Sequence, residues 1–117
     1  MSRFSPKKIS DAETESLVES KLKWILDGCS PTRVILFGSA SRGELTDYSD
    51  VDFAVLFDSI PALIEGRKTL FSRPRLDDWP QDILCFEEAD FLRRVQTGGV
   101  CEIIAEEGQV LFKRSSV

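Results

Sequence analysis

The stretch "VDFAVLF", Val51 to Phe57, is apolar almost throughout. A strand points alternate side chains to opposite faces, so one with a wet face alternates apolar and polar residues. A near-continuous apolar run instead demands cover on both faces. The rest of the chain must therefore wrap this strand. "RVILF" (Arg33 to Phe37), "DILCF" (Asp82 to Phe86) and "QVLF" (Gln109 to Phe112) read as further short strands.

The segments between them supply helices. "SDAETESLVESKLKWILDG" opens with Ser10 and Glu13 in capping-box spacing and closes on Gly28, a plausible stop. Its core stripe is Leu17, Val18, Leu22 and Ile25, with Trp24 and Leu26 at the flanks. "PALIEGRKTLF" (Pro61 to Phe71) reads as a helix with Pro61 in its first turn, weakened in the middle by Gly66. "SRPRLDDWPQ" (Ser72 to Gln81) is a loop with two prolines. "EEADFLRRVQ" (Glu87 to Gln96) is a helix with acids first and bases last, and "VCEIIAEEG" (Val100 to Gly108) is another. The tail "KRSSV" is expected to fray. The fold class expected is α+β, a small mixed sheet flanked by helices, in a single domain over residues 1–117.

Composition then excludes function classes. The chain has 117 residues, 42% hydrophobic and 30% charged, as expected of a soluble globular protein, and no run reaches transmembrane length. No apolar signal segment follows the basic N-terminus. Cys29, Cys85 and Cys101 read as reduced, semi-buried thiols, and a cytoplasmic location is expected. The absence of histidine removes Ser-His-Asp triads, Cys-His pairs and histidine-ligated metals. Any metal must be held by oxygen ligands, which suits Mg²⁺ or Mn²⁺. A net charge of −5 argues against a large nucleic-acid footprint. The basic pairs Lys7-Lys8, Arg67-Lys68 and Arg93-Arg94 read as solvated helix faces.

The chemistry concentrates in "FGSASRGELTDYSDVDF", Phe37 to Phe53. Asp50 and Asp52 fall on one face at the mouth of the apolar strand, with Val51, Phe53, Val55 and Phe57 on the other. Residues i and i+2 of a strand lie about 6.5 Å apart at Cα, so the carboxylates can converge to ~4 Å. There they repel by ~4 kcal/mol at an effective dielectric of about 20, unless a divalent cation sits between them. Gly38-Ser39 ends the preceding strand and can turn into a short helix whose backbone N–H groups favour an anion. Gly38 allows close approach of a phosphate, Ser39 adds a hydroxyl, and Arg42 lies near enough to contact phosphate or acceptor. The stretch lacks the Lys-Ser/Thr of a Walker A loop. Metal-assisted phosphoryl or nucleotidyl transfer calls for a third carboxylate. Asp82 fits, opening a strand at the same level; Asp77, Asp78 and Glu87 compete with it.

"GSASRGELTDYSDVDF" followed by "DILCF" resembles the minimal nucleotidyltransferases (MNT type) of the DNA polymerase β-like superfamily. The resemblance runs from Arg33 to Phe86, and "EIIAEEGQVLF" also looks like the family's ending. It departs at Ser41, where alanine is common, and at Phe53, where leucine is common. It implies that Gly38 and Ser39 bind phosphate and that Asp50, Asp52 and Asp82 are the catalytic metal ligands. Ser49 matches the serine before the first aspartate. Single-domain members resemble the antitoxins of HEPN–MNT toxin–antitoxin pairs, which transfer AMP from ATP to a tyrosine of a HEPN-domain ribonuclease. The resemblance thus implies Mg²⁺ (or Mn²⁺), ATP as substrate and a HEPN toxin as partner, with no nucleic acid or membrane. Larger relatives carry a second domain for the acceptor, which this chain is expected to receive from its partner. Two alternatives remain open, a non-catalytic binding antitoxin and a transferase for a small-molecule hydroxyl. Nucleotide preference is not readable, because no base-binding motif is evident.

Overall fold

The Val51–Phe57 strand is enclosed on both faces, as its sequence demands. In the computed structural model, which describes residues 6–115, the elements run α1 (Asp11–Gly28), β1 (Arg33–Phe37), a 3₁₀ helix (Gly38–Arg42), β2 (Val51–Phe57), α2 (Ile60–Ser72), β3 (Gln81–Glu87), α3 (Glu88–Val95), α4 (Val100–Glu107) and β4 (Gln109–Lys113). One sheet has the strand order β3-β2-β1-β4. β2 runs antiparallel to β1 and parallel to β3, and β4 pairs antiparallel with β1. The sheet is mixed and the class is α+β, as expected from the sequence.

The alternation of β2 divides its side chains between two cores. Val51, Phe53, Val55 and Phe57 join Val18, Trp24 and Ile25 of α1 and Leu70 of α2. Ala54 and Leu56 join Ile35, Phe37, Phe91 of α3 and Cys101 and Ile104 of α4. Burying a side chain such as Phe53 or Phe57 stabilises by roughly 1.5–3 kcal/mol. Gly66, a weak point for an isolated helix, is the contact that seats α2: a Cβ there would run into the Phe57 ring.

Capping follows the sequence closely. Ser10 Oγ accepts from the Glu13 N–H at 3.2 Å, and Ser59 Oγ accepts from the Ala62 N–H at 3.2 Å, with Pro61 in the first turn of α2. Gly28 does end α1, but through packing. A Cβ there would meet the Arg73 guanidinium and Leu70, while the closing bond comes from the Cys29 N–H to Ile25 O at 3.2 Å.

Three expectations are corrected. Lys7-Lys8 lies on no helix; Lys8 bridges Thr46 in a short antiparallel contact, and the Lys7 N–H donates to Asp47 Oδ1 at 2.9 Å. The tail is tied down as far as Arg114, whose N–H donates to Thr32 O at 2.8 Å and whose guanidinium reaches Asp58 at 3.1 Å; Ser116 and Val117 lie outside the described residues. The α1 stripe holds a charged residue, Lys21, which is only 1% exposed. Among the described residues no helix is long and apolar enough to cross a membrane.

Candidate active site

Antiparallel pairing of β1 with β2 sets the C-terminal end of β1 beside the N-terminal end of β2. Phe37 stands opposite Asp52. Parallel pairing of β3 with β2 sets Asp82 opposite Asp52. Partners in register share a face, so two carboxylates stand side by side on neighbouring strands. Asp50 lies two residues before Asp52 and is exposed, as is Asp82; Asp52 is half-buried. Burial first, then the charges of Asp82 and Asp50, push the Asp52 carboxyl above the usual aspartate range, and Arg42 opposes them.

The chain turns immediately after β1. Gly38 takes φ +73°, which favours glycine, and a Cβ on it would run into Asp52 Oδ2. The 3₁₀ helix that follows brings Ala40 into the core and is closed by Ser41 Oγ donating to Gly38 O at 2.7 Å. Ser39 is half-buried at the start of this helix, and its carbonyl accepts from the Glu44 N–H at 2.9 Å.

Arg42 and Ser49 are both engaged by protein partners. The Arg42 guanidinium is held by Glu44 at 3.1 Å and by Glu107 at the end of α4 at 2.9 Å. Ser49 Oγ accepts from the Thr46 N–H at 3.1 Å and lies 2.8 Å from Thr46 Oγ1, so it shapes the turn leading into Asp50.

The competitors for the third carboxylate separate cleanly. Asp77 is bound to Lys21 at 2.9 Å. Glu87 stands opposite Phe57 at the far end of the β2–β3 ladder, about 16 Å along the strand from Asp82 at the usual rise per residue. Asp78 is exposed in the loop. Only Asp82 shares a register position with Asp52.

A second layer was not read from the sequence. Lys21 Nζ donates to Asp77 Oδ1 at 2.9 Å, to Trp79 O at 3.1 Å and to Gln81 Oε1 at 3.1 Å. All three donors of a buried ammonium are therefore satisfied. The Trp79 indole N–H donates to Ser49 O at 3.0 Å, and the Val51 N–H donates to Pro80 O at 3.0 Å. Lys21 thus fastens the loop before Asp82 to α1, and Trp79 fastens the turn before Asp50 to that loop. The available signal was phase: position 21 falls on the same stripe as Val18 and Ile25.

The donor set fits a divalent cation. Asp52 feels the charges of Asp82 and Asp50; Arg42, which opposes them, is engaged by glutamates; and hard oxygen donors suit Mg²⁺ or Mn²⁺. Among the described residues no three acidic or thiol side chains already form a closed ligand cluster.

Residues 16–111 match the family model for the nucleotidyltransferase domain, and the chain belongs to that family. The matched span holds β1, β2, β3 and the start of β4, with every residue of the candidate site. A crystal structure of a candidate nucleotidyltransferase from Sulfolobus solfataricus has the same fold, with a TM-score of 0.60 at 19% identity over 92% of this chain and 91% of that one. A crystal structure of a toxin–antitoxin with AMP-PNP is also similar, with a TM-score of 0.53 at 22% identity over 82% of this chain and 73% of that one. No curated protein matches the chain.

Proposed function

We propose that the protein, as a single minimal nucleotidyltransferase domain, transfers AMP from ATP to a tyrosine hydroxyl of a HEPN-type toxin and acts as that toxin's antitoxin. The observation that carries the chemistry is the register pair Asp52–Asp82, with Asp50 beside it and Gly38 against Asp52. Asp50 and Asp52 would hold Mg²⁺ or Mn²⁺ on the triphosphate side, and Asp82 would share a metal nearer the acceptor. A bound divalent cation supplies charge neutralisation at the phosphates and lowers the cost of deprotonating the acceptor.

The remaining roles follow from placement. The Gly38-Ser39 turn offers backbone N–H groups and a hydroxyl to the phosphates. Arg42 would reach them on release from Glu44 and Glu107. Ser49 holds the turn that aims Asp50. Asp82 sits where it can help take the acceptor proton while the acceptor oxygen bonds to the α-phosphorus and pyrophosphate leaves.

The toxin–antitoxin likeness, shared fold with a structure that contains AMP-PNP, supports a protein partner and an adenine nucleotide. The test is to mix the protein with the product of its neighbouring gene, ATP and Mg²⁺, and to weigh the partner intact. Addition of one AMP is expected; an unmodified partner that is nonetheless inhibited overturns the transfer. That outcome would favour a second reading, a binding antitoxin.

A further inference from the structure

We propose that the free edge of β3 is an acceptor-docking surface, which takes an acidic, extended segment of the partner protein as an added strand and presents its hydroxyl to Asp82. The proposal rests on the adenylyl-transfer reading for the role of Asp82, but its binding arm is independent of it.

Among the described residues, the strand order leaves β3 at one end of the sheet, paired to β2 alone. Its outer ladder of N–H and C=O groups is open, the arrangement to which an extended peptide adds. A groove of about 390 Å³ lies at this edge. Asp82 and Ile83 both line it. They point to opposite faces of β3, so the groove wraps the strand edge. Leu70 and Phe71 supply apolar wall, and Phe71 is 60% exposed. A side chain seated here has the Asp82 carboxylate at the groove wall.

Charge selects the occupant. Arg75 lines the groove. Arg67 stands further along, its guanidinium 5.8 Å from the Phe71 ring centroid and near enough to Cys85 of β3 to lower that thiol's pKa against its burial. Both arginines are exposed, and neither has an acidic partner among the described residues. Arg73 is different: it donates to Trp24 O at 2.5 Å and lies over the Trp24 ring. Asp82 puts one carboxylate in the same groove, so the acidic side chains of the segment are expected on the side of Arg67 and Arg75, the two cations without an acidic partner among the described residues. A second copy docked edge to edge would bring a second pair of arginines to the same groove. A nucleic-acid strand would find too few cations and no use for the backbone ladder.

The probe is a synthetic peptide with one tyrosine flanked by glutamates, compared with its glutamine analogue and a single-stranded RNA oligonucleotide. Amide hydrogen exchange on the full chain, without ATP or divalent cation, is expected to show protection within Gln81–Glu87 by the acidic peptide only. Arg67→Glu with Arg75→Glu should weaken that binding by about tenfold or more; Arg67→Ala with Arg75→Ala serves if the charge reversal melts early. Protection on β4 instead, none at β3, or protection by the RNA overturns the proposal, as does protein-concentration-dependent protection of β3 without peptide. With ATP and Mg²⁺ added, a peptide that binds β3 but gains no AMP defeats the transfer reading and leaves the surface standing. Undiminished AMP transfer to the partner by the double-arginine variant defeats the surface and leaves the transfer standing.

Discussion

Gly38 stands so close to the carboxylate of Asp52 that no Cβ fits between them, and its φ of +73° lies where other residues are strained. Gly38→Ala therefore meets two penalties, a backbone cost of about 1 kcal/mol and displacement of Asp52. Transfer activity should fall much further than stability does, and Gly38→Val should be worse. Ser39→Ala removes one phosphate donor among several and should be mild. Steady-state rates beside thermal melts check this; equally mild effects at both positions would make the turn an ordinary one.

The Asp52 carboxyl is held above its ordinary range by burial, Asp82 and Asp50. The folded protein therefore binds the proton more tightly than the unfolded chain does. The resulting stability is fully present below the unfolded aspartate value and is lost as pH rises through the folded one. Asp52→Asn should raise the melting temperature of the metal-free protein at neutral pH, with the gain vanishing in acid. Mg²⁺ should raise the melting temperature of the wild type and not of the variant. Melts across about pH 3 to 8, with and without Mg²⁺, measure both effects; a variant less stable at neutral pH would mark Asp52 as a partner in a structural ion pair.

Asp82 separates binding from chemistry. Asp82→Asn leaves Asp50 and Asp52 to hold the triphosphate side, so Mg·ATP should bind within a few-fold of the wild type. Transfer should fall at least about a hundredfold, the usual scale for losing a positioned proton acceptor. Calorimetric titration with ATP, alongside intact mass of the partner, resolves the two. Wild-type transfer by the variant would remove Asp82 from the mechanism.

Lys21→Met would leave Asp77, Trp79 O and Gln81 without their shared donor. Asp77 is one-third exposed and can take up water, so the cost should be about 2–3 kcal/mol, below that of stranding a buried charge. Urea unfolding should show that loss. Because the ammonium fastens the loop before Asp82, the variant should also lose transfer rate more than ATP affinity. Lys21→Arg, with a bulkier fork, should not restore it.

Burial pushes the Cys29 and Cys85 thiols up to about 11 each. Both should resist alkylation at neutral pH in the folded protein and react readily in urea. Stability should also drop as pH climbs from the ordinary thiol value of 9.0 toward about 11, because the unfolded chain loses these protons first. Cys29→Ser with Cys85→Ser should flatten that alkaline decline.

Much of this was legible because it is local. The unbroken apolar run of β2 announced its cover on both faces, Ser10 marked a helix start through a bond to its near neighbour Glu13, and Pro61 marked another through its fixed backbone angle. The Asp50/Asp52 spacing was likewise readable, since strand periodicity alone puts them on one face. Asp82 stands out from Asp77, Asp78 and Glu87 because it opens a strand at the same level, but its residue-for-residue register with Asp52 was not readable, because register between distant strands is set by packing across the sheet. Arg42 and Ser49 illustrate the opposite difficulty. Arg42 is singled out by its place near the Gly38-Ser39 turn and Ser49 by the resemblance, and neither shows in advance the partners that the fold supplies, Glu107 for the first and Thr46 for the second. Lys21 was hidden because its three partners come from a loop with no pattern of its own.

The parallel ladder between β2 and β3 also sets a timetable. β1 and β2 are separated by residues 38–50 and can pair early, whereas β3 lies beyond residues 58–80 and can dock only after all of α2 and the following loop are made and folded back. Pairings of that sequence separation form late. The crowding of Asp82 against Asp52 is thus deferred until β2 and α2 are made, and β4, still farther along the chain, pairs with β1 across a larger separation. A growing chain that has emerged only through β2 holds Asp50 and Asp52 and lacks Asp82. In the proposed role, the ability to modify a partner switches on with completion of the sheet, so a half-made molecule has no partial activity to misdirect.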